Sequence, residues 1–236
     1  MGPVTEGAGG RRERRKAQTR AGVREAAHRL FAERGFDAVT IADVAAAADV
    51  AVQTVFNHFE SKEGLFFDGR TPWVEGVAAA VRRRAPGSDP VVALRAYVEA
   101  DLAELLAQES RPENRGYLEA LRRSPSLQAR ERTLVQLAAE AVAVELSVAI
   151  RAGDWPAARV ADRATAQTLG WLVADLFLAA GRALVLENRR RLAEPDIDAS
   201  RRPSVRETTA ATLGALEHCV AGLARQLLGT PPERRT

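Results

Sequence analysis

Lysine is nearly missing from these 236 residues: only Lys16 and Lys62 occur, so 32 of the 34 basic side chains are arginine. That lifts the isoelectric point to about 9.6. Arginine at this level reflects a GC-rich genome as readily as a nucleic-acid partner, so total basicity decides little. Cysteine is reduced to Cys219, which excludes an intramolecular disulfide framework and a cysteine-rich zinc site. Charges interrupt every apolar run before it reaches the ~20 residues that cross a bilayer, so no membrane span is expected. Gly2 to Gly10 followed by Arg11-Arg12-Glu13 has no apolar core of a signal peptide, and the expected compartment is the cytoplasm. Catalytic signatures are lacking as well: no G-x-S-x-G, no H-E-x-x-H and no phosphate-binding glycine loop. His28, His58 and His218 fall in three different segments, and the adjacent pair His218-Cys219 cannot point at one ion from a regular helix. Neither an enzyme nor a metal or other cofactor is expected.

What is present is unevenly distributed. The formal net charge of +3 combines +6 over residues 11–34 with −5 over residues 35–68, and the rest is close to balance. Six of seven phenylalanines (Phe31, Phe36, Phe56, Phe59, Phe66 and Phe67) precede residue 68. A small unit needs large side chains to build a core, so the clustering predicts a separate N-terminal domain. Residues 1–18 read as a disordered basic arm, 19–68 as that domain, and 69–230 as a larger helical domain.

Alternating β-type patterns are absent and the expected fold is all-α. Val23, Ala27, Leu30 and Phe31 form one stripe of a helix starting near Thr19, and Gly35 ends it. Thr40 with Asp43 reads as a capping box, and Val39 and Val44 as a hydrophobic staple. A short helix to about Ala47, a tight turn at Ala48-Asp49-Val50 and a second helix over Ala51 to Phe59 then read as a helix-turn-helix. Phe56 and Phe59 fit core positions. Beyond residue 70, proline and glycine breaks predict helices near 72–84, 90–108, 113–123, 126–151, 156–191 and 204–228.

Thr40-Ile-Ala-Asp-Val-Ala, Ala48-Asp-Val and Thr54-Val-Phe-Asn-His-Phe-Glu-Ser-Lys62-Glu-Gly-Leu65 together resemble the DNA-binding segment of TetR-family (TetR/AcrR-like) transcriptional regulators. The resemblance runs from about Arg20 to Leu65; further on, only length and helical pattern agree. It implies a homodimeric regulator, a repressor relieved by a small-molecule ligand, with a C-terminal ligand-binding and dimerisation domain and a palindromic double-stranded DNA operator. Carried over position by position, Thr40 caps the second helix at a phosphate, and Val52, Gln53 and Thr54 face the major groove. Phe56 stands at the usual tyrosine, His58 at a backbone contact, and Lys62 at the lysine opening the fourth helix. Asn57 and Arg20 complete the expected DNA-binding set.

Side-chain chemistry bears on these roles. Gln53 can make a bidentate pair with adenine N6 and N7, and Val52 and Thr54 can meet the thymine methyl. Lys62 follows the Ser61 N-cap, where the helix dipole disfavours a cation by ~0.3–1 kcal/mol; a docked phosphate would reverse that. Asp49 replaces the family's glycine, Phe56 lacks the phenolic hydroxyl, and Glu60 replaces a common proline. Asp49 and Phe56 keep a second reading open, a helical small-molecule-binding protein whose degenerate helix-turn-helix reads no operator. In the C-terminal half, Trp73, Tyr97, Tyr117, Trp155, Trp171 and Phe177 are candidate pocket walls. Asp175 interrupts Trp171-Leu-Val-Ala-Asp-Leu-Phe-Leu178 as an expected buried carboxylate. With Arg182, Leu216 and Val220 it is a candidate for a dimer interface.

Overall fold

Alanine, leucine and arginine, all strong helix formers, pervade the chain. The computed structural model is helical wherever it is regular, with no strand among the described residues. Those residues are 7–71, 73–156, 162–193 and 204–228, with side chains from residue 10 onward. They form two compact units, residues 1–71 with 115–130, and residues 72–114 with 131–236.

The first unit contains α1 (Gly7–Arg34), α2 (Ile41–Ala47), α3 (Val52–Phe56), α4 (Lys62–Phe67) and α7 (Arg115–Arg123). The expected disordered arm is corrected: α1 runs on through residues 7–18, and only residues 1–6 lie outside the described part. Residues 19–34 supply a packed nucleus. Once a helix is nucleated, each further residue costs little, and Arg, Glu, Ala and Gln propagate it well. Val23, Ala27, Leu30 and Phe31 are buried, as their spacing requires. Phe31, Phe36 and Phe66 pack edge-on or tilted at centroid distances of 5.3–5.8 Å. Such pairs add about 0.5–1.5 kcal/mol each beyond the area they bury.

Tyr117, an expected pocket wall, is found in this first unit. Its ring stacks on Phe66 at 4.8 Å, and the Arg70 guanidinium lies 4.3 Å from its centroid. The sequence boundary near residue 69 therefore misplaces residues 115–130. Four aromatic rings and a half-buried arginine hold α7 to the Phe66 side of α1 and α4, and no local composition signal marks that return.

The second unit is built from α5 (Trp73–Arg82), α6 (Pro90–Glu109), the main part of α8 (Pro125–Ala152), α9 (Arg163–Ala193) and α10 (Val205–Leu228). Its core gathers Val98, Leu102, Val142, Leu146, Val173, Phe177 and Leu213. By length and composition α8 and α9 are each apolar enough to cross a membrane, contrary to the expectation that charge interrupts every such stretch. Windows holding only Glu140 and Glu145, or Asp175 and Arg182, escape that interruption. Half or nearly half of each window is buried within the protein (44% and 50%), which is the pattern of core helices.

Close helix contact is set by a glycine at one crossing. A Cβ on Gly170 would lie 2.6 Å from the carbonyl oxygen of Ala143, so α9 meets α8 there backbone to backbone. Farther along α9, Arg189 donates to Glu109 and to Glu131, each at 2.8 Å, and joins α9 to α6 and α8. Glu109 is buried, and desolvation pushes its carboxyl above the usual range against the pull of Arg189. One guanidinium thus holds two carboxylates, an arrangement that is costly to break because it would strand buried charge.

Asp101, one turn beyond Tyr97 on α6, has no such partner among the described residues. Burial, and then repulsion from Glu104, raise its pKa to about 6. A carboxyl raised from 3.8 destabilises the fold when ionised. The penalty is absent below the unfolded pKa, grows as pH rises through the folded one, and is constant above it. Asp101→Asn is expected to stabilise the protein by about 1–3 kcal/mol at pH 7.5. Paired thermal melts should show the gain vanishing near pH 4.

Candidate nucleic-acid interface

The reading surface starts with capping. Thr40 Oγ1 accepts from the Asp43 backbone N–H at 3.1 Å, and the Asp43 carboxylate accepts from the Thr40 N–H at 2.8 Å. The hydroxyl and amide of Thr40 pull the Asp43 carboxyl below its ordinary range. At the turn, Asp49 takes φ 53°, the left-handed conformation that a glycine would supply at less cost. The turn therefore keeps its shape with an aspartate in the glycine position.

α3 follows with five residues. Val55 is buried, and Phe59, three residues past the helix end, is 5% exposed. Val52, Gln53 and Asn57 are exposed, Thr54 is half-exposed, and Gln53 Nε2 donates weakly to Asn57 Oδ1 at 3.3 Å. Phe56 is corrected: at 48% exposure it is no core residue and stands beside Gln53 and Asn57 on the outer face. Helical spacing alone could not tell it from Phe59. The short helix ends after Phe56, and only Phe59 turns inward.

Two cations expected at phosphates are engaged within the protein. Lys62 Nζ donates to the carbonyl oxygens of Phe36 at 2.8 Å and Val39 at 2.9 Å, and lies 4.2 Å from the centre of the Phe36 ring. Its place in the first turn of α4 is explained by this tie to the α1–α2 connection, and no anion is needed to account for it. Arg20 donates to the His58 carbonyl oxygen at 2.6 Å, pairs with Asp68, and stacks 4.4 Å from the Phe59 centroid. Neither tie had a sequence signal, because each joins residues 23 or more apart. His58 is half-buried. Burial first, then Arg20 and Lys16, lower its pKa, so at neutral pH it offers a hydrogen bond and no charge.

Partial neutralisation follows. Of the six acids in residues 35–68, Asp43 is consumed in the cap and Asp68 in the pair with Arg20. The densest run of exposed cations lies upstream, on the first turns of α1, where every residue from 10 to 18 is exposed; Arg29 and Arg34 are exposed nearer its other end.

A family model for the bacterial regulatory proteins of the tetR family matches residues 23–68. Over this segment the chain carries the DNA-binding region of the tetR family. It is thus a DNA-binding transcriptional regulator, all-α, with an N-terminal helix-turn-helix and a C-terminal helical domain. Solved structures share the fold. Native NalD, the secondary repressor of the MexAB-OprM multidrug efflux pump in Pseudomonas aeruginosa, aligns with TM-score 0.50 and 20% identity over 87% of this chain and 97% of its own. A TetR-family regulator from Streptomyces coelicolor aligns with TM-score 0.50 and 18% identity over 86% and 95%. No curated protein sequence matches the chain.

In the C-terminal domain of this tetR-family chain, the expected pocket walls do not converge. Phe177 is fully buried core, and Trp73 and Tyr97 pack half-buried against that core. Trp155, only 1% exposed, floors a polar cleft of about 320 Å³ beside Asp89, Arg95 and Glu217. Trp171 borders a different cleft, on α8 and α9. Of the interface candidates, Val220 is buried in the core of its own unit and is corrected to a packing residue. Asp175 is exposed, contrary to expectation, because the face of α9 that bears it is uncovered. No ion pair joins it to Arg182 among the described residues, and the buried Arg182 Nε has no hydrogen-bond partner there. Leu216 is half-buried.

The two accounts of Lys62 separate cleanly. If its ammonium holds the connection between α1 and α2, Lys62→Met loses two charge-assisted hydrogen bonds and costs about 1–3 kcal/mol of stability. Chemical denaturation should show that loss, and the slope of DNA affinity against salt should stay near that of the parent. A phosphate contact predicts the reverse, unchanged stability and a slope lower by about one unit.

Proposed function

We propose that this regulator is a homodimeric repressor that reads a palindromic operator and is released by a small, largely apolar ligand. The observation that carries the reading is the outer face of α3. Val52, Gln53, Thr54, Phe56 and Asn57 form an uncharged, exposed surface on a helix whose inner side is anchored. A major-groove reader needs that division, with base edges met by amides and methyl groups and attraction supplied from elsewhere. Elsewhere here is α1, which carries five cations between Arg11 and Lys16 on exposed turns.

Dimerisation is assigned to α9 and α10. Leu176 and Leu186 on α9 and Leu227 on α10 are exposed large apolar residues, with Asp175 among the α9 residues as an edge charge. A twofold axis through such a face would set two α3 helices about 34–36 Å apart, one duplex turn. Residues 194–203, between α9 and α10 in the chain, lie outside the described part. Release then follows if the ligand binds better to a conformer whose α3 spacing is wrong, since only differential affinity shifts the balance. The working compartment is the cytoplasm, and no catalysis is assigned.

The reading that the helix-turn-helix is degenerate draws on one feature, the bare phenyl ring of Phe56 on the outer face. Asp49, its other support, keeps the left-handed turn. Selection from a random duplex library by the purified protein separates the readings: an enriched palindrome supports the operator, and none supports the alternative.

Two variants refine this. Gln53→Ala should relax discrimination at one base position by about 1–3 kcal/mol, read as a loss of preference in the selected palindrome. Removing residues 1–18 should lower the salt slope by about two to four units, since each phosphate contact contributes roughly 0.9. The ratio of operator to random-duplex affinity should change by less than about threefold, because phosphate contacts carry no sequence information.

A further inference from the structure

The α8–α9 surface carries a second arrangement that the operator reading does not use. Val144 and Val148 are each 60% exposed, one turn apart on α8, and with Trp171 of α9 they wall a cleft of about 170 Å³. Arg151 and Arg163 stand at one end, where α8 finishes and α9 begins, and Gln167 lies between them and Trp171. The Gly170 crossing fixes the site. Ser147 Oγ donates to the Ala143 carbonyl at 2.6 Å, and the absent Cβ of Gly170 lets α9 close on that turn, holding Trp171 against α8.

Charge is the informative part. Arg82, Arg84, Arg95 and Arg189 of the same unit each pair with a carboxylate. Among the described residues, Arg151 and Arg163 pair with none; Arg83, Arg111, Arg132, Arg182, Arg206 and Arg225 are also without a carboxylate, but of these eight only Arg151 and Arg163 line this cleft. Arg151 lies in the last turn of its helix, where the dipole welcomes a cation. Arg163 opens the next helix, where the dipole opposes one. Lys62 stands in the same position but finds two carbonyl oxygens; among the described residues Arg163 finds none, and the Asp162 carboxylate that caps its helix offsets the dipole only in part.

We propose that this cleft binds a small aromatic carboxylate, with the anionic group between Arg151 and Arg163 and the flat ring between Trp171 and the two valines. Paired guanidinium groups match the two oxygens of a carboxylate. The apolar walls call for a hydrophobic body. The volume, below the ~300 Å³ of ordinary drug-sized pockets, limits that body to one small ring system. The site stands on the second unit alone and does not depend on the operator reading.

Calorimetric titration of the full chain with 2-naphthoate, in the absence of DNA, tests it. Saturable binding of one molecule per chain is expected. The double variant Arg151→Gln/Arg163→Gln should weaken it at least tenfold, and Trp171→Ala at least fivefold, while Arg82→Gln binds like the parent. The neutral analogue 2-naphthalenemethanol should bind at least tenfold more weakly. Absence of saturable heat, equal binding of the alcohol, or an unaffected double arginine variant would overturn the proposal. So would conversion of a dimer to monomers by Val148→Glu, which would make this face a contact between copies. Because DNA is left out, each of these outcomes leaves the operator reading where duplex selection puts it.

Discussion

Five residues are too few for a helix to hold its shape in water, since nucleation alone costs more than one turn of hydrogen bonds returns. The recognition helix Val52–Phe56 therefore exists only because its neighbours hold it. Val55 and Phe59 bury on one side, the capped α2 and the left-handed Asp49 fix its entry, and Arg20 grips the carbonyl of His58 just beyond its end. Presentation of an uncharged outer face is a consequence of that clamp. The same constraint explains the phenylalanine-rich first unit, because a small core must be dense to resist deformation at its surface.

The clamp redistributes the cations. A lysine or arginine near a reading helix is usually counted toward the phosphate backbone, yet Lys62 and Arg20 spend donors on carbonyl oxygens and stack on Phe36 and Phe59. Both are internal struts first. Attraction to a polyanion would then fall to exposed cations outside the clamp. The densest run of those lies on the exposed opening turns of α1, a helix continued by propagation. The uncharged outer face and the densest run of exposed cations thus lie on different elements, tied by Arg20 of α1 to the end of α3.

Much of the first unit was legible in the sequence because its determinants are local. The stripe Val23–Ala27–Leu30–Phe31, the Thr40–Asp43 box and the Gly35 terminus each lie within one or two helical turns, where spacing is geometry. What escaped is non-local or concerns exposure. The Lys62 and Arg20 ties, the return of Tyr117 to Phe66, and the Arg189 bridge join distant residues, and no periodicity encodes them. Phe56 and Asp175 were misjudged for a shared reason. A pattern places a residue on a face, but which faces are covered depends on helices elsewhere in the chain or on another copy of it. Aromatic residues in the second unit were uneven pocket markers because a large ring fills a core as readily as it lines a cavity: Phe177 is core, whereas Trp155 and Trp171 each border a cleft.

Arginine abundance, uninformative as a total, becomes informative once each guanidinium is asked what its donors already hold. Arg189 is wholly committed. It lies between Glu109 and Glu131, and its own charge offsets the desolvation that pushes the Glu109 carboxyl upward. Removing such a charge strands others, so its role is explained by the fold. Arg163 sits where the helix dipole opposes it and holds no carboxylate among the described residues. An exposed cation of that kind is cheap to keep in water, so exposure alone would argue nothing. Its position does argue, because a neutral side chain in the first turn of α9 would be better for the helix and no worse for solubility. The Asp162 carboxylate that caps α9 eases the placement in part, and with Arg151 opposite and a bare tryptophan–valine wall behind, an anion with an apolar body in the cleft would use both cations.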